Sequence, residues 1–184
     1  MDIFQGQIKN RIECYNCKYT RNIFEPIMYL TLPIPLNKAK VNLHDCIRLF
    51  IEQEHDPEQT LSCEKCKKKS SFKKKIDLWK TPDILIIQLK RFDYDEELGF
   101  VKIMKHVSFP IKKLDLSEYC TSYQATKPTY YLFAICNHLG TAKNGGHYTT
   151  YSWNRKNDQW YFYDDDFHGE FEDLSKLVSR NAYL

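Results

Sequence analysis

Residues 145–166 read GGHYTTYSWNRKNDQWYFYDDD, and the fold class turns on this stretch. Tyr148 to Trp153 and Gln159 to Tyr163 are short and rich in aromatic and β-branched residues. The turn-forming run Asn154 to Asp158 separates them, which predicts two antiparallel strands joined as a hairpin. A residue near the start of one such strand faces one near the end of its partner, so His147 and Asp164 are expected to meet. A carboxylate on the imidazole Nδ1–H would fix the tautomer and stabilise the imidazolium. Gly145 and Gly146 allow the backbone to approach a ligand closely or to take up positive φ. Spacing alone leaves the matter open. A histidine after two glycines is more often structural, and aspartates after a strand are usually turn residues.

Working outward, Tyr130 to Cys136 predicts a further strand. Ile76 to Trp79 reads as another, and Asp83 to Phe92 (DILIIQLKRF) as a buried strand, because its apolar run is short and β-branched. The acidic stretch Asp93 to Gly99 loses periodicity and is expected to be a mobile loop. Phe24 to Leu36, punctuated by prolines, has an edge-strand pattern. Leu43, Cys46, Ile47, Phe50 and Ile51 recur at helical spacing, with Asn42 as N-cap and Asp45 three residues on. That helix should fray by His55-Asp56-Pro57. Leu174, Leu177 and Val178 predict a short closing helix. Strands linked mostly by hairpins imply an α+β domain with an antiparallel sheet.

The length of 184 residues suits one domain with its own core. The longest apolar run, Ile84 to Ile87, stops at Gln88 and is far too short to span a bilayer, and the N-terminus lacks a signal-peptide pattern. The expectation is a cytoplasmic protein without membrane insertion. A net charge of +3 selects no partner class.

Seven cysteines are an odd number for a disulfide scaffold. Two C-x2-C pairs, Cys14/Cys17 and Cys63/Cys66, stand 45 residues apart. Each pair can turn both sulfurs onto one ion, and four thiolates close a tetrahedron, so structural zinc is expected there. A redox pair would open a helix in a βαβ unit, which neither does. Cys46, Cys120 and Cys136 read as packing or surface residues. The lysines from Lys65 to Lys75 read as a solvated face; with only Phe72 among them for base stacking, a nucleic-acid partner is not expected.

The order of eight segments resembles the ubiquitin-specific protease family of papain-like cysteine peptidases. They are Cys14-x2-Cys17, Cys63-x2-Cys66, Leu89-Lys90-Arg91-Phe92, Val107-x-Phe109-Pro110, Leu114-Asp115-Leu116, His138-x-Gly140, Gly145-Gly146-His147-Tyr148 and Trp160-x-x-Tyr163-Asp164-Asp165. Phe4-Gln5-Gly6-Gln7, Met28-Tyr29-Leu30-x-Leu32-Pro33 and Leu43-x-Asp45-Cys46 are most similar to the UBPY-like endosomal members. The resemblance covers all 184 residues and corresponds to the C-terminal half to two-thirds of the family's catalytic domain.

It implies a palm sheet carrying zinc-ribbon fingers built from about 8–22 and 58–76, without the N-terminal helical thumb. His147 would be the general base of a deubiquitinase and Asp164 its orienter, with Asp165 as the adjacent candidate. Gly145, Gly146 and Tyr148 would line the channel for ubiquitin's tail, covered by the segments 93–102 and 139–146. The reaction would be thiol-dependent hydrolysis of ubiquitin conjugates through an acyl-thioester. None of the seven cysteines stands in the Gly-Asn-Thr-Cys-type context of the family's nucleophile, so this chain alone is expected to be inactive. His168 in place of the usual Val, and a slightly long Leu139 to Asn144 loop, are smaller departures. Two alternatives stay open at this level: a non-catalytic ubiquitin-binding or scaffold protein of the same family, and a zinc-ribbon module with unrelated binding.

Overall fold

A computed structural model describes residues 3–52, 54–97, 99–122, 126–142 and 145–184. In chain order, β1 (Gly6–Cys14), β2 (Thr20–Ile27), β3 (Leu30–Leu32) and β4 (Val41–Asn42) precede α1 (Leu43–Ile51). β5 (Glu54–Ser62), β6 (Lys69–Lys80), β7 (Ile87–Leu89), β8 (Phe92–Asp95) and β9 (Gly99–Lys102) follow. Then come β10 (Val107–Ser108), β11 (Leu114–Asp115), β12 (Thr129–Tyr130) and β13 (Ala134–Ala142). β14 (Gly145–Asn154), β15 (Gln159–Asp164), β16 (Phe167–Phe171) and a 3-10 turn at Leu174–Lys176 complete the chain. Among the described residues none forms a helix long and apolar enough to cross a membrane.

The chain divides into two compact units. The first comprises Met1–Leu30, Phe50–Ile86 and Asp115–Pro128. It is built on an antiparallel sheet in the order β2-β1-β6-β5. Strand alternation puts Lys9, Arg11, Lys75, Asp77 and Trp79 on one face. There Asp77 is buried between Lys9 at 3.1 Å and Lys75 at 3.2 Å. Burial opposes its ionisation, but the two ammonium groups outweigh that and hold its carboxyl below the ordinary range.

The second unit comprises Thr31–Leu49, Ile87–Leu114 and Thr129–Leu184. Its main sheet has the meander order β13-β14-β15-β16, all antiparallel. One face packs Ile135 and Trp160 onto Leu177 and Ala182, with Tyr151, Trp153 and Phe171 around them. The helix start is fixed as a reciprocal cap. The Asp45 N–H donates to Asn42 Oδ1 and the Asn42 N–H donates to Asp45 Oδ2, both at 3.0 Å. Lys38 adds an ion pair to Asp45 at 2.7 Å, and these donors hold its carboxyl below the ordinary range. Replacing Asp45 with Ala is expected to cost about 1–2 kcal/mol in urea unfolding. The contribution is present above the unfolded carboxylate's pKa of about 3.9 and disappears as pH falls through the lower folded value. Asp45→Asn should therefore flatten the acid limb of stability.

Several expectations need correction. One nine-residue α-helix stands beside sixteen strands among the described residues, so the domain is far richer in sheet than an α+β label conveys. The helix ends at Ile51, ahead of the expected limit at His55-Asp56-Pro57, and the backbone enters β5 at Glu54 instead of a loop. Asp83 to Phe92 is not one buried strand. Its strand residues are Ile87–Leu89 and, at the start of β8, Phe92, and Ile86 is 37% exposed, because residues 83–86 follow Pro82 as an irregular segment pinned by Ile84 N–H to the Ile3 carbonyl. The expected loop at Asp93 to Gly99 is the tip of the β8–β9 hairpin, although Leu98 itself lies outside the described residues. Its acidic residues are turn formers: the Asp95 carboxylate accepts the Glu97 N–H at 2.9 Å. Edge strand β16 was hidden by Gly169 and its charged neighbours, and the closing helix is only a 3-10 turn capped by Asp173.

Candidate functional site

In the first unit, two matching knuckles bring four thiols together. The Lys18 N–H donates to the Cys14 carbonyl and the Lys67 N–H to the Cys63 carbonyl, both at 2.9 Å. Each lysine sits in the left-handed region, at φ 59° and 58°. All four Sγ atoms lie within 4.8 Å of one another. Thiolates at a Zn–S distance of about 2.3 Å are separated by roughly 3.8 Å along a tetrahedral edge. Cys17 and Cys63 already stand 3.7 Å apart. The Cys17 N–H, foremost among several donors, pulls Cys14 down to about 6. Tyr19's N–H favours the Cys17 thiolate, but burial and the three neighbouring sulfurs outweigh it and push that thiol up to about 11. Sulfurs competing in this way for one negative charge are what a divalent cation would relieve, so the donor set fits zinc.

In the second unit, His147 stands near the start of β14 and Asp164 ends β15. The His147 Nε2 and Asp164 Oδ1 are joined by a hydrogen bond, each side chain being about two-fifths exposed. The bond uses Nε2, not the expected Nδ1. Nε2 lies farther from the backbone and reaches the neighbouring strand, and among the described residues Nδ1 has no hydrogen-bond partner. The Asp164 bond, ahead of a charge contribution from Asp165, raises the imidazole's pKa above its ordinary value. Asp165, at φ 48°, opens the turn into β16 and keeps its carboxylate close to the pair. His168 stacks on Tyr163 across that hairpin, on the sheet face opposite Asp164, so this departure from the family pattern does not reach His147.

The two glycines differ sharply. A Cβ on Gly145 would meet open space, whereas on Gly146 it would lie 2.3 Å from His138 Nε2 and 2.6 Å from the Leu139 carbonyl oxygen. Gly146→Ala is expected to cost about 1–3 kcal/mol through overpacking, and Gly145→Ala to be nearly neutral, in paired urea melts. Tyr148 is 53% exposed and meets the edge of the buried His138 ring, which also packs on Phe92 and Tyr183. Of the segment 139–146, residues 143–144 lie outside the described residues.

Neither cysteine of this unit can serve His147. Cys46 is fully buried, and burial pushes its thiol up to about 11. Cys136 pairs with Thr150, three positions from the Leu139–His147 pair, and so points to the opposite sheet face. Cys120 belongs to the first unit and is bridged to Leu78 through its backbone.

Two basic residues have individual roles that the sequence did not assign. Arg91 is fully buried, and its guanidinium donates to the carbonyls of Ile103, Lys105 and Ala182. Lys102 is 8% exposed and donates to the carbonyls of His138 and Gly140. Val101 and Ile103 around Lys102 were the available signal, but a lysine at a strand end reads by default as solvated.

The family model described as UCH, ubiquitin carboxyl-terminal hydrolase, matches residues 1–184. Ubiquitin carboxyl-terminal hydrolase 2 of Gallus gallus is 37% identical across the whole chain, which spans 51% of that protein. Probable ubiquitin carboxyl-terminal hydrolase R319 of Acanthamoeba polyphaga mimivirus is 34% identical, again across the whole chain and over 40% of its own length. This chain therefore spans about half or less of these relatives. Among solved structures, a chain of the SAGA Ubp8/Sgf11/Sus1/Sgf73 DUB module bound to monoubiquitin superposes with a TM-score of 0.83 at 26% identity. That match covers 98% of this chain and 39% of the other. With the family model matched from end to end, the chain belongs to the ubiquitin carboxyl-terminal hydrolase family.

Proposed function

We propose that this chain is the ubiquitin-gripping and base-supplying part of a cysteine-type deubiquitinase that hydrolyses bonds to ubiquitin's C-terminus. The observation that carries this reading is the His147–Asp164 pair, oriented through Nε2 with Nδ1 left for a thiol. The imidazole takes the proton of that thiol, and the thiolate attacks the scissile carbonyl. The imidazolium, steadied by Asp164, then protonates the departing lysine amine as the tetrahedral adduct collapses to a thioester. Water, deprotonated by the same imidazole, frees ubiquitin and restores the thiol. The thiol comes from outside these 184 residues, as in the family pattern of a distant nucleophile segment within a helical thumb, so this chain alone is inactive. Asp165 adds negative charge beside the pair.

Gly145, Gly146 and the exposed face of Tyr148 line the channel for the tail, with segments 93–102 and 139–146 over it. The region from about 8–22 and 58–76 forms fingers that hold ubiquitin's globular body, and the remainder forms the palm. Zinc bound by Cys14, Cys17, Cys63 and Cys66 would supply a structural cross-link between these two finger segments. The wording at residues 4–7, 28–33 and 43–46 supports kinship with UBPY-like members, and with it a cytoplasmic protein with access to endosomes, which imaging of a tagged protein can check.

The experiment is complementation. The chain alone should bind ubiquitin, in calorimetry, without cleaving ubiquitin-rhodamine. Joined to a relative's N-terminal half that carries the nucleophile, it should cleave. Absence of ubiquitin binding by the folded chain would sink the whole reading. Binding with no cleavage by a folded, complemented protein would leave a ubiquitin-binding protein only.

A further inference from the structure

We propose that Lys102 is a positioning residue for His147, acting through the two backbone carbonyls that flank its cross-strand partner. This inference rests on the reading of His147 as the base. His147 pairs with Leu139 across β13 and β14, and the register then breaks between Leu139 and Ala142. Gly140, at φ +99°, begins that irregularity, and its carbonyl, like that of His138, accepts from Lys102. The Lys102 ammonium enters at this point. It donates to the carbonyl of His138 and, at 2.9 Å, to that of Gly140, the residues on either side of Leu139. One cation thus holds both neighbours of the residue against which His147 is registered.

The brace is itself held. Lys102 ends β9, paired with Phe92 on β8. Just beyond it, Arg91 donates to the carbonyls of Ile103 and Lys105, each at 2.9 Å, and also to that of Ala182. Phe92 packs edge-on against His138 at 5.2 Å, and His138 packs against Tyr148, the residue after His147. Burial, reinforced by the charge of Arg91, disfavours the Lys102 ammonium. Two carbonyl dipoles aimed at its nitrogen favour it. An ammonium buried on carbonyls is an expensive way to close a hairpin that a water molecule could satisfy, unless the position of that hairpin matters.

A merely structural lysine and a positioning lysine differ in what happens to His147. The test is ring-nitrogen NMR on the full chain, which reports the pKa and tautomer of His147 without any catalytic step. In Lys102→Met, the His147 pKa should lose most of its elevation and move toward the ordinary value of about 6.5. Asp164→Asn sets the reference for complete loss. Lys102→Arg, which keeps the cation and its donors, should retain at least half of the elevation. Lys102→Gln gives the same reading if the Met variant does not fold. The proposal is overturned if a folded Lys102→Met or Lys102→Gln protein melts at lower temperature yet keeps the wild-type His147 pKa and tautomer. Failure of the base assignment shows elsewhere, as cleavage surviving His147→Ala in the complemented enzyme, and would leave the NMR result standing.

Discussion

His147→Ala should lower ubiquitin-rhodamine cleavage by the complemented enzyme roughly a thousandfold or more, with ubiquitin affinity almost unchanged. Two losses combine in that number. The thiol would no longer have a base, and the leaving amine would no longer have an acid. Positioned proton transfer contributes about 10²–10⁴ on its own. Removal of a member of a catalytic triad leaves only the catalysis due to binding and the oxyanion site. Affinity should survive because His147 is half-buried near the start of a strand, whereas the proposed tail contacts are backbone at Gly145 and Gly146 and the ring of Tyr148. Asp164→Asn should lower the rate by a smaller factor, since the imidazole remains but its orientation and charge partner are lost.

The pH profile gives a second, independent reading of the same pair. Reaction requires a neutral imidazole, so the acid limb follows the raised pKa of His147. In Asp164→Asn that limb should move to lower pH while the plateau falls. The linked effect on stability has the opposite sense. A raised histidine pKa stabilises the fold fully below the unfolded value of about 6.5, and the gain is lost as pH rises through the folded pKa. Cleavage that survives His147→Ala, or an acid limb that stays in place in Asp164→Asn, would remove the base role.

What could be read from the residues, and what could not, follows from the range of the interactions involved. The β14–β15 hairpin, the cap at Asn42 and Asp45 and the two C-x2-C knuckles are local, each settled by side chains within a few positions of one another. Alternation alone brought His147 to Asp164 over 17 residues, but it carried no information on which ring nitrogen would make the bond. Lys102 and Arg91 were invisible because their partners are backbone carbonyls up to 91 residues away, and a carbonyl leaves no mark in a sequence. The apolar run at Asp83 to Phe92 misled for a related reason. β-Branched residues fit an irregular segment as well as a strand when tertiary bonds such as that from Ile84 to Ile3 hold it.

Removal of metal should have the largest effect on stability. A protein purified at neutral pH should carry one zinc per chain by elemental analysis, and chelation should lower its melting temperature by roughly 8–20 °C. That range corresponds to a loss of about 4–5 kcal/mol at about 2–4 °C per kcal/mol for a chain of this size. The reasoning begins with what would be left behind. Cys14 and Cys63 are almost fully buried, and without an ion four sulfurs within 4.8 Å cannot all carry negative charge. They must take up protons as thiols, and the knuckles would lose the link between β1–β2 and β5–β6. Both knuckles also hold a lysine at positive φ, a conformation that a cross-link sustains and a free turn would relax. Cys17→Ser and Cys66→Ser should each reproduce most of the chelator effect, whereas Cys120→Ser should not. The loss should be regional: amide exchange should accelerate through β1, β2, β5 and β6, while the His147 ring signals of the second unit persist. A zinc-free protein with an unchanged melt would reduce the four cysteines to a relic of packing, and the proposed fingers would have to hold ubiquitin on their sheet alone.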